Sequence, residues 1–295
     1  ILADTIDNQR AGVHVYTKRL IEELLKIGSH KYSFIHEQEN PFFEGTEHYI
    51  IPRKKRLGYG TYRKFFLIPR LIRKLKPDVV FEPCHIGPFF TKAKKVVMVH
   101  DLTPILMPEF HIKRSTLIHR LLLKQVLKKA DLILTASNQT KDDVKNYSET
   151  SSQIKTIPLG IDLPKRELSK VEFFLQKGYP KPQIGTNGDI SALKNMPTIS
   201  KPYLLYLGTI EPRKNLETLI DAFAELKSEE KISHKLILAG DIGWKSEKIL
   251  EKVSRTNKRL SSIIEVTGYI DEEIKQKLYQ NAKIFIYPSL YEGFG

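Results

Sequence analysis

The sequence predicts an α/β protein of two domains, each with a mostly parallel sheet, on three observations. Short β-branched runs alternate with amphipathic runs from Val79 onward, the pattern of strands joined by crossover helices. The same rhythm occurs twice, on either side of a stretch from Gly160 to Pro202 that is punctuated by Pro164, Gly178, Pro180, Pro182, Gly185, Gly188 and Pro197. At 295 residues and 41% hydrophobic content, the chain suits two ordinary cores better than one large one.

The elements follow in order. Ile1-Leu2-Ala3-Asp4 begins without Met and enters partway through a strand, and Gly12 separates it from a helix of about Tyr16 to Ile27. Ile68, Leu71, Ile72 and Leu75 keep i, i+3, i+4, i+7 spacing and predict a helix over Pro69 to Lys76. Strands are expected at Val79 to Glu82, Lys95 to Val99, Leu132 to Thr135 and Ile154 to Pro158, with helices at Ile112 to Ala130 and Thr140 to Tyr147. In the second half the strands are Tyr203 to Leu207, Lys235 to Ala239, Ile263 to Val266 and Ile284 to Tyr287; the helices are Asn215 to Leu226, Ser246 to Arg255 and Asp271 to Asn281. We therefore place a first domain at 1–165, a linker at 166–201 with one short helix near Val171 to Gln176, and a second domain at 202–295. Both termini read as cut, so a leader or a tail beyond them is expected to escape notice.

The net charge of +14 is concentrated. Residues 51–100 hold 13 Lys/Arg against 2 Asp/Glu, which is +11 of the total. The segment Arg53, Lys54, Lys55, Arg56, Arg63, Lys64, Arg70, Arg73, Lys74 and Lys76 has no acid and is interleaved with aromatic and aliphatic residues. It reads as a basic amphipathic helix able to lie on an anionic bilayer; a core-packed helix with a solvated basic face has the same pattern. No nucleic-acid reader motif accompanies the charge. No run reaches 18 apolar residues, so no spanning helix is expected. The lone Cys84 excludes an intrachain disulfide and fits a reducing compartment, and Cys84-His85 lacks the further ligands of a zinc site.

No G-x-G-x-x-G fingerprint or Walker lysine loop is present, against a dinucleotide oxidoreductase or a P-loop enzyme. Instead, Gly208-Thr-Ile-Glu-Pro-Arg213-Lys214-Asn215 carries a strand into a helix, where free N–H groups and the helix dipole favour an anion. A guanidinium beside an ammonium can neutralise a diphosphate without a metal. Gly12 permits close backbone approach to a phosphate, although turn glycines are common. Glu292, in Glu-Gly-Phe-Gly at a strand end, can accept hydrogen bonds from sugar hydroxyls. His100-Asp101 follows a strand, where an imidazole can bond a hydroxyl or shuttle a proton, or serve a structural role. Nothing has a Ser-His-Asp or Cys-His context, and no Asp-x-Asp is placed to hold Mg²⁺, so metal independence is expected.

Taken as a set, these segments resemble the retaining glycosyltransferases of family four, of the glycosyltransferase-B fold, whose two Rossmann-like domains face each other. The resemblance covers nearly the whole chain and rests on Gly12, His100-Asp101-Leu102-Thr103-Pro104, Pro158 to Asp162, Gly208 to Asn215, Ala239-Gly240-Asp241, Gly268-Tyr269 and Tyr287 to Gly295. It implies transfer of a sugar from a nucleotide-sugar donor with retention, GDP-mannose first and a UDP-hexose second, to a glycan or lipid-linked acceptor. By the same resemblance Arg213, Lys214 and Gly12 meet the diphosphate, His100 and Glu292 the donor sugar near the reacting centre, and Phe294 and Gly295 that sugar through their backbone. Gly268, Tyr269 and Ile270 meet the base. No cofactor is implied, and the location implied is cytoplasmic, peripheral on the membrane face. The family's second glutamate would fall at position 300, beyond this sequence, so the second domain is expected to be incomplete and the fragment inactive. A non-catalytic nucleotide-sugar binder, an epimerase on the same fold and a basic polyanion-binding module are the alternatives.

Overall fold

The computed structural model describes residues 1–8, 12–56, 58–87, 91–160, 202–261 and 263–294, and the predicted α/β class with parallel sheets is what it shows. Two units are distinguished: Ile1–Ile161 with Glu292–Gly295, and Asp162–Tyr291. The predicted linker and its short helix lie outside the described residues.

In the first unit the strands are β1 (Ser33–His36), β2 (Glu47–Ile50), β3 (Val79–Glu82), β4 (Lys94–Val99), β5 (Leu132–Thr135) and β6 (Gln153–Thr156). β3, β4, β5 and β6 are neighbours in that order, β1 pairs with β2, and every pairing is parallel. The N-terminal residues join the two sets: Leu2 bridges Ile35 in parallel and donates its N–H to Phe81 O at 3.0 Å. The opening therefore does enter a sheet. β1 and β2 escape the sequence reading, because Glu47-His48-Tyr49-Ile50 is mostly polar and Ser33-Phe34-Ile35-His36 is too short to show alternation.

The helices of this unit are α1 (Asp4–Asn8), α2 (Gly12–Ile27), α3 (Tyr59–Tyr62), α4 (Ile68–Leu75), α5 (Thr103–Leu106), α6 (Lys113–Lys129) and α7 (Asn138–Ser148). α2 starts at Gly12, a turn earlier than predicted. Thr17 anchors that first turn, donating to Val13 O at 2.8 Å and accepting from Thr5 Oγ1 at 3.0 Å.

Two residues of the basic segment, Arg63 and Lys64, depart from the membrane-facing expectation. α3 runs into a π-helical stretch, Arg63–Leu67, and on into α4. Arg63, Ile68 and Ile72 are all buried; a spacing of five would change faces in an α-helix, and the wider π turn brings it back. Ile68 and Ile72 meet Leu2, Ile35 and Val80. Arg63, 1% exposed, donates twice to the Asp4 carboxylate at 2.5 and 2.8 Å and to the carbonyls of Ile51 (2.6 Å) and His36 (3.1 Å). It is an internal cross-link. Lys64 is half-buried and donates inward to Ile86 O at 3.1 Å. Arg53, Lys54, Lys55, Arg56, Arg70, Arg73 and Lys74 remain exposed.

The second unit has β7 (Tyr203–Leu207), α8 (Leu216–Ser228), β8 (Lys235–Ala239), α9 (Glu247–Leu260), β9 (Ile264–Gly268), α10 (Glu272–Asn281) and β10 (Ile284–Phe285), with parallel sheet order β10-β7-β8-β9. The apolar run Tyr-Leu-Leu-Tyr-Leu of β7 is explained by burial on both faces. Leu204 and Tyr206 turn toward α8 and α9, whereas Tyr203 and Leu205 turn toward Leu278 of α10.

Candidate functional site

The ends of β7 and β8 approach without side chains between them. A Cβ on Gly240, whose φ is +132°, would lie 2.2 Å from Gly208 O, and one on Gly208 would lie 2.7 Å from the Tyr206 hydroxyl. Past Gly208 the chain forms a 3₁₀ turn, Pro212–Lys214, then Asn215 at φ +55°, and α8 begins. Arg213 and Lys214 thus stand at the carboxyl end of β7, one turn ahead of a helix N-terminus.

Both cations are oriented. Arg213 donates to Glu211 Oε1 at 2.8 Å and to Tyr291 O at 2.7 Å, and its own carbonyl accepts from the Leu290 N–H at 3.0 Å. Lys214 donates to the Tyr287 hydroxyl at 2.7 Å, with its ammonium 4.9 Å from that ring's centroid. Tyr287 in turn stacks on Tyr206 at 5.8 Å. Glu211 is 2% exposed, so the Arg213 guanidinium is held by a buried carboxylate. The Tyr287 to Tyr291 segment is thereby stitched to the Arg213 turn within one unit. Pre-aimed donors of this kind suit a diphosphate better than mobile surface lysines do.

The remaining residues of that unit divide. Gly268, at φ +70°, ends β9 and accepts the Gly240 N–H at 3.0 Å. Tyr269 is exposed, whereas the Ile270 side chain packs into the core beside Leu205 and Ile237, leaving only its backbone to a ligand.

In the first unit His100 sits at the carboxyl end of β4. Its Nε2 lies 2.9 Å from Pro83 O, and because a carbonyl only accepts, the proton is on Nε2. Burial lowers its pKa, opposed by the Pro83 bond and by Asp101, so the ring is neutral near pH 7 and Nδ1 carries a lone pair. His85 holds this arrangement from below: its Nε2 accepts the His100 backbone N–H at 3.1 Å, and burial drives its pKa to about 3. The edge of Tyr16 meets the His100 ring at 4.9 Å between centroids. His100 can therefore accept a hydrogen bond from a hydroxyl but cannot act as a cation for phosphate. Beneath it, Glu82 is buried and pushed up to about 7 by desolvation, with Lys64 partly opposing, and burial raises the Cys84 thiol to about 12.

Glu292 is half-buried, and the glycine after it is obligatory: a Cβ on Gly293 would lie 1.9 Å from His100 O. Gly293 O accepts from the hydroxyls of Ser137 (2.5 Å) and Thr140 (3.1 Å) at the start of α7. Phe294 is exposed, and Gly295 lies outside the described residues. Gly12 is exposed at the start of α2, and among the described residues a Cβ added there would meet no atom within 4 Å. Among the described residues no group of three His, Cys, Asp or Glu is arranged to hold a metal, and no helix is long and apolar enough to cross a membrane.

Sequence reasoning misses Glu211, Tyr287, His85, Ser137 and Thr140. Glu211 has a signal, an acid two residues before Arg213, and Ser137-Asn-Gln-Thr140 has capping spacing; His85 has none, because its partner is a backbone N–H reached only through the sheet.

The profile of glycosyltransferase family 4 matches residues 10–165, and that of the group 1 glycosyl transferases matches residues 194–295. O-antigen chain mannosyltransferase B of Escherichia coli is 31% identical over 205 residues, which are 68% of this chain and 49% of that protein. The serotype-specific mannosyltransferase WbdA of the same organism is 27% identical over 205 residues, 68% of this chain and 23% of that one. The chain thus spans half or less of the length of these curated relatives. Among solved structures, sucrose-phosphate synthase from Thermosynechococcus elongatus aligns with a TM-score of 0.61 at 20% identity, covering 97% of this chain and 72% of that one. Anabaena Alr3699/HepE in complex with UDP-glucose aligns at 0.62 and 16%, covering 97% and 73%. These likenesses are of fold.

Proposed function

This chain belongs to glycosyltransferase family 4, and from that premise we propose that it serves a retaining hexosyl transfer from a nucleotide sugar, with mannose the favoured sugar, to a glycan or lipid-linked acceptor. The observation that carries the reading is the paired and oriented Arg213 and Lys214 ahead of α8. As the bond from sugar to diphosphate breaks, negative charge grows on the leaving nucleotide, and these two cations stabilise it without having to reorganise. The acceptor attacks from the same face, and the leaving phosphate oxygen takes its proton, so no protein nucleophile is required. His100 accepts a hydrogen bond from a sugar hydroxyl through Nδ1. Glu292 takes further hydroxyls, helped by the backbone of Phe294 and Gly295. Gly12 leaves room for phosphate, and Gly268, Tyr269 and the Ile270 backbone border the base.

GDP-mannose is the donor we favour, because the mannosyltransferase relatives point to that sugar; a UDP-hexose is second. No cofactor or metal takes part in this scheme, and nucleotide-sugar binding should survive chelation by EDTA. We place the acceptor at the cytoplasmic face of a membrane, toward which the exposed cations Arg53, Lys54, Lys55, Arg56, Arg70, Arg73 and Lys74 supply attraction.

Calorimetric titration of GDP, UDP, GDP-mannose and UDP-glucose into wild type and Arg213→Ala tests the reading. Selective binding of one nucleotide family, weakened about tenfold or more in the variant, is expected from loss of a charge-assisted pair of bonds. Equal binding by the two proteins would remove the diphosphate from Arg213.

A further inference from the structure

Helix α6 buries one face and leaves apolar side chains on the other. Leu123, Val126 and Leu127 seal the core against Val97, Val99 and Ile133. On the outer side, Leu117 and Leu121, one turn apart, are 56% and 64% exposed, and Ile112 at the N-cap is 56% exposed. Lys113, Arg120 and Lys128 are exposed on the same helix, and Lys124 lies 3.6 Å from Glu149. The helix sequence holds six Lys/Arg and no acidic residue. A single exposed leucine is ordinary. Two on one face, flanked by long-stemmed cations, make an amphipathic surface of the kind that lies in an interface.

We infer that the outer face of α6 is a bilayer-contact surface, which lays Leu117 and Leu121 into the headgroup boundary of an anionic membrane while Arg120, Lys124 and Lys128 meet the lipid phosphates. Charge sign selects an anionic partner. The leucines select a bilayer over a nucleic acid or an acidic polysaccharide, which offer cations a partner but aliphatic side chains none. Lysine and arginine stems can lie along the apolar face while their heads reach phosphate. With no helix among the described residues fit to span, contact is along the helix rather than across the membrane. This surface is separate from the cations of 53–74 and does not depend on the donor chemistry. There α4 spends Ile68 and Ile72 on the core, and the exposed apolar groups are Tyr62 and Phe66.

The test is co-sedimentation with vesicles of phosphatidylcholine alone and of phosphatidylcholine with phosphatidylglycerol, using wild type, Leu117→Ser/Leu121→Ser and Tyr62→Ser/Phe66→Ser. Both pairs are exposed, so unaltered thermal melting of each variant serves as the folding control. The leucine pair should lower the fraction bound to anionic vesicles about tenfold, from the lost apolar insertion. An environment-sensitive dye at Leu121→Cys should shift to the blue only with anionic vesicles. Equal binding to neutral and anionic vesicles, unchanged binding by the leucine variant, or loss confined to the Tyr62/Phe66 variant would each overturn the assignment. So would a wild-type dimer in sedimentation equilibrium that dissociates on Leu121→Ser, since that outcome gives the face to a second copy.

Discussion

Arg63→Ala separates a structural guanidinium from a surface cation. The side chain is 1% exposed and makes two hydrogen bonds to Asp4 and two to backbone carbonyls, with Glu37 3.6 Å from Nη1. Truncation leaves the Asp4 and Glu37 carboxylates without this cation and the Ile51 and His36 carbonyls without this donor. Breaking a buried pair from one side costs about 3–5 kcal/mol, mostly as the penalty of the stranded charge. Arg63→Lys keeps the charge but not the planar fork, and one ammonium cannot serve a bidentate carboxylate and two carbonyls together, so it should recover only part of the loss. Arg56→Ala, at an exposed loop, should stay within about 0.5 kcal/mol of wild type. Urea unfolding followed by two probes makes the assay specific. The only tryptophan, Trp244, belongs to the second unit, whereas far-ultraviolet circular dichroism reports both. The Arg63→Ala chain should lose its first dichroism transition at lower urea while the fluorescence transition holds. A shift below about 1 kcal/mol, accompanied by weaker vesicle binding, would refute the reasoning and return Arg63 to the surface.

Further outcomes follow from the same geometry. The Glu82 carboxyl, raised from 4.5 to about 7 in the folded state, binds more protons folded than unfolded between those values, so first-unit stability should fall as pH rises from about 4.5 to about 7, by on the order of 3 kcal/mol. Glu82→Gln should flatten that slope in denaturation series at several pH values; an unchanged slope would mean another group is responsible. Ring ¹⁵N spectra should show His100 protonated at Nε2 and bare at Nδ1 at pH 7, and His85 the reverse; a protonated His100 Nδ1 would remove its role as hydroxyl acceptor. Gly293→Ala should weaken binding of a nucleotide sugar about tenfold in calorimetric titration, by displacing the turn from His100 O, Ser137 and Thr140, with affinity for the free nucleotide at the Arg213 turn changed far less. Gly240→Ala should destabilise the second unit by about 3 kcal/mol or more, read as an earlier Trp244 transition, because its Cβ would collide with backbone that has nowhere to move.

The α/β class, the parallel strands and the motif turns were determined by the sequence itself. Those features are local: β-branched runs, helical periodicity and the Gly208 to Asn215 and Tyr287 to Gly295 segments carry their meaning in consecutive residues. Strands β1 and β2 were not legible, because their burial is set by Leu2, Phe81 and the helices around them rather than by their own alternation. The basic run shows the same division. Composition made Arg53 to Lys76 one cationic surface, but a π turn rotated Arg63 and Lys64 inward, and a run of charges in sequence carries no information about which face each will occupy. The outer leucines of α6 were equally silent, since a leucine reads as core until the packing leaves it outside. Arg213 and Lys214 could be named from the motif. That Glu211, Tyr287 and Tyr291 aim them, and that Pro83 and His85 leave His100 neutral with its lone pair on Nδ1, was decided only by tertiary structure. Orientation and protonation depend on groups brought within about 3 Å across long stretches of chain, and no pattern of neighbouring residues records that distance.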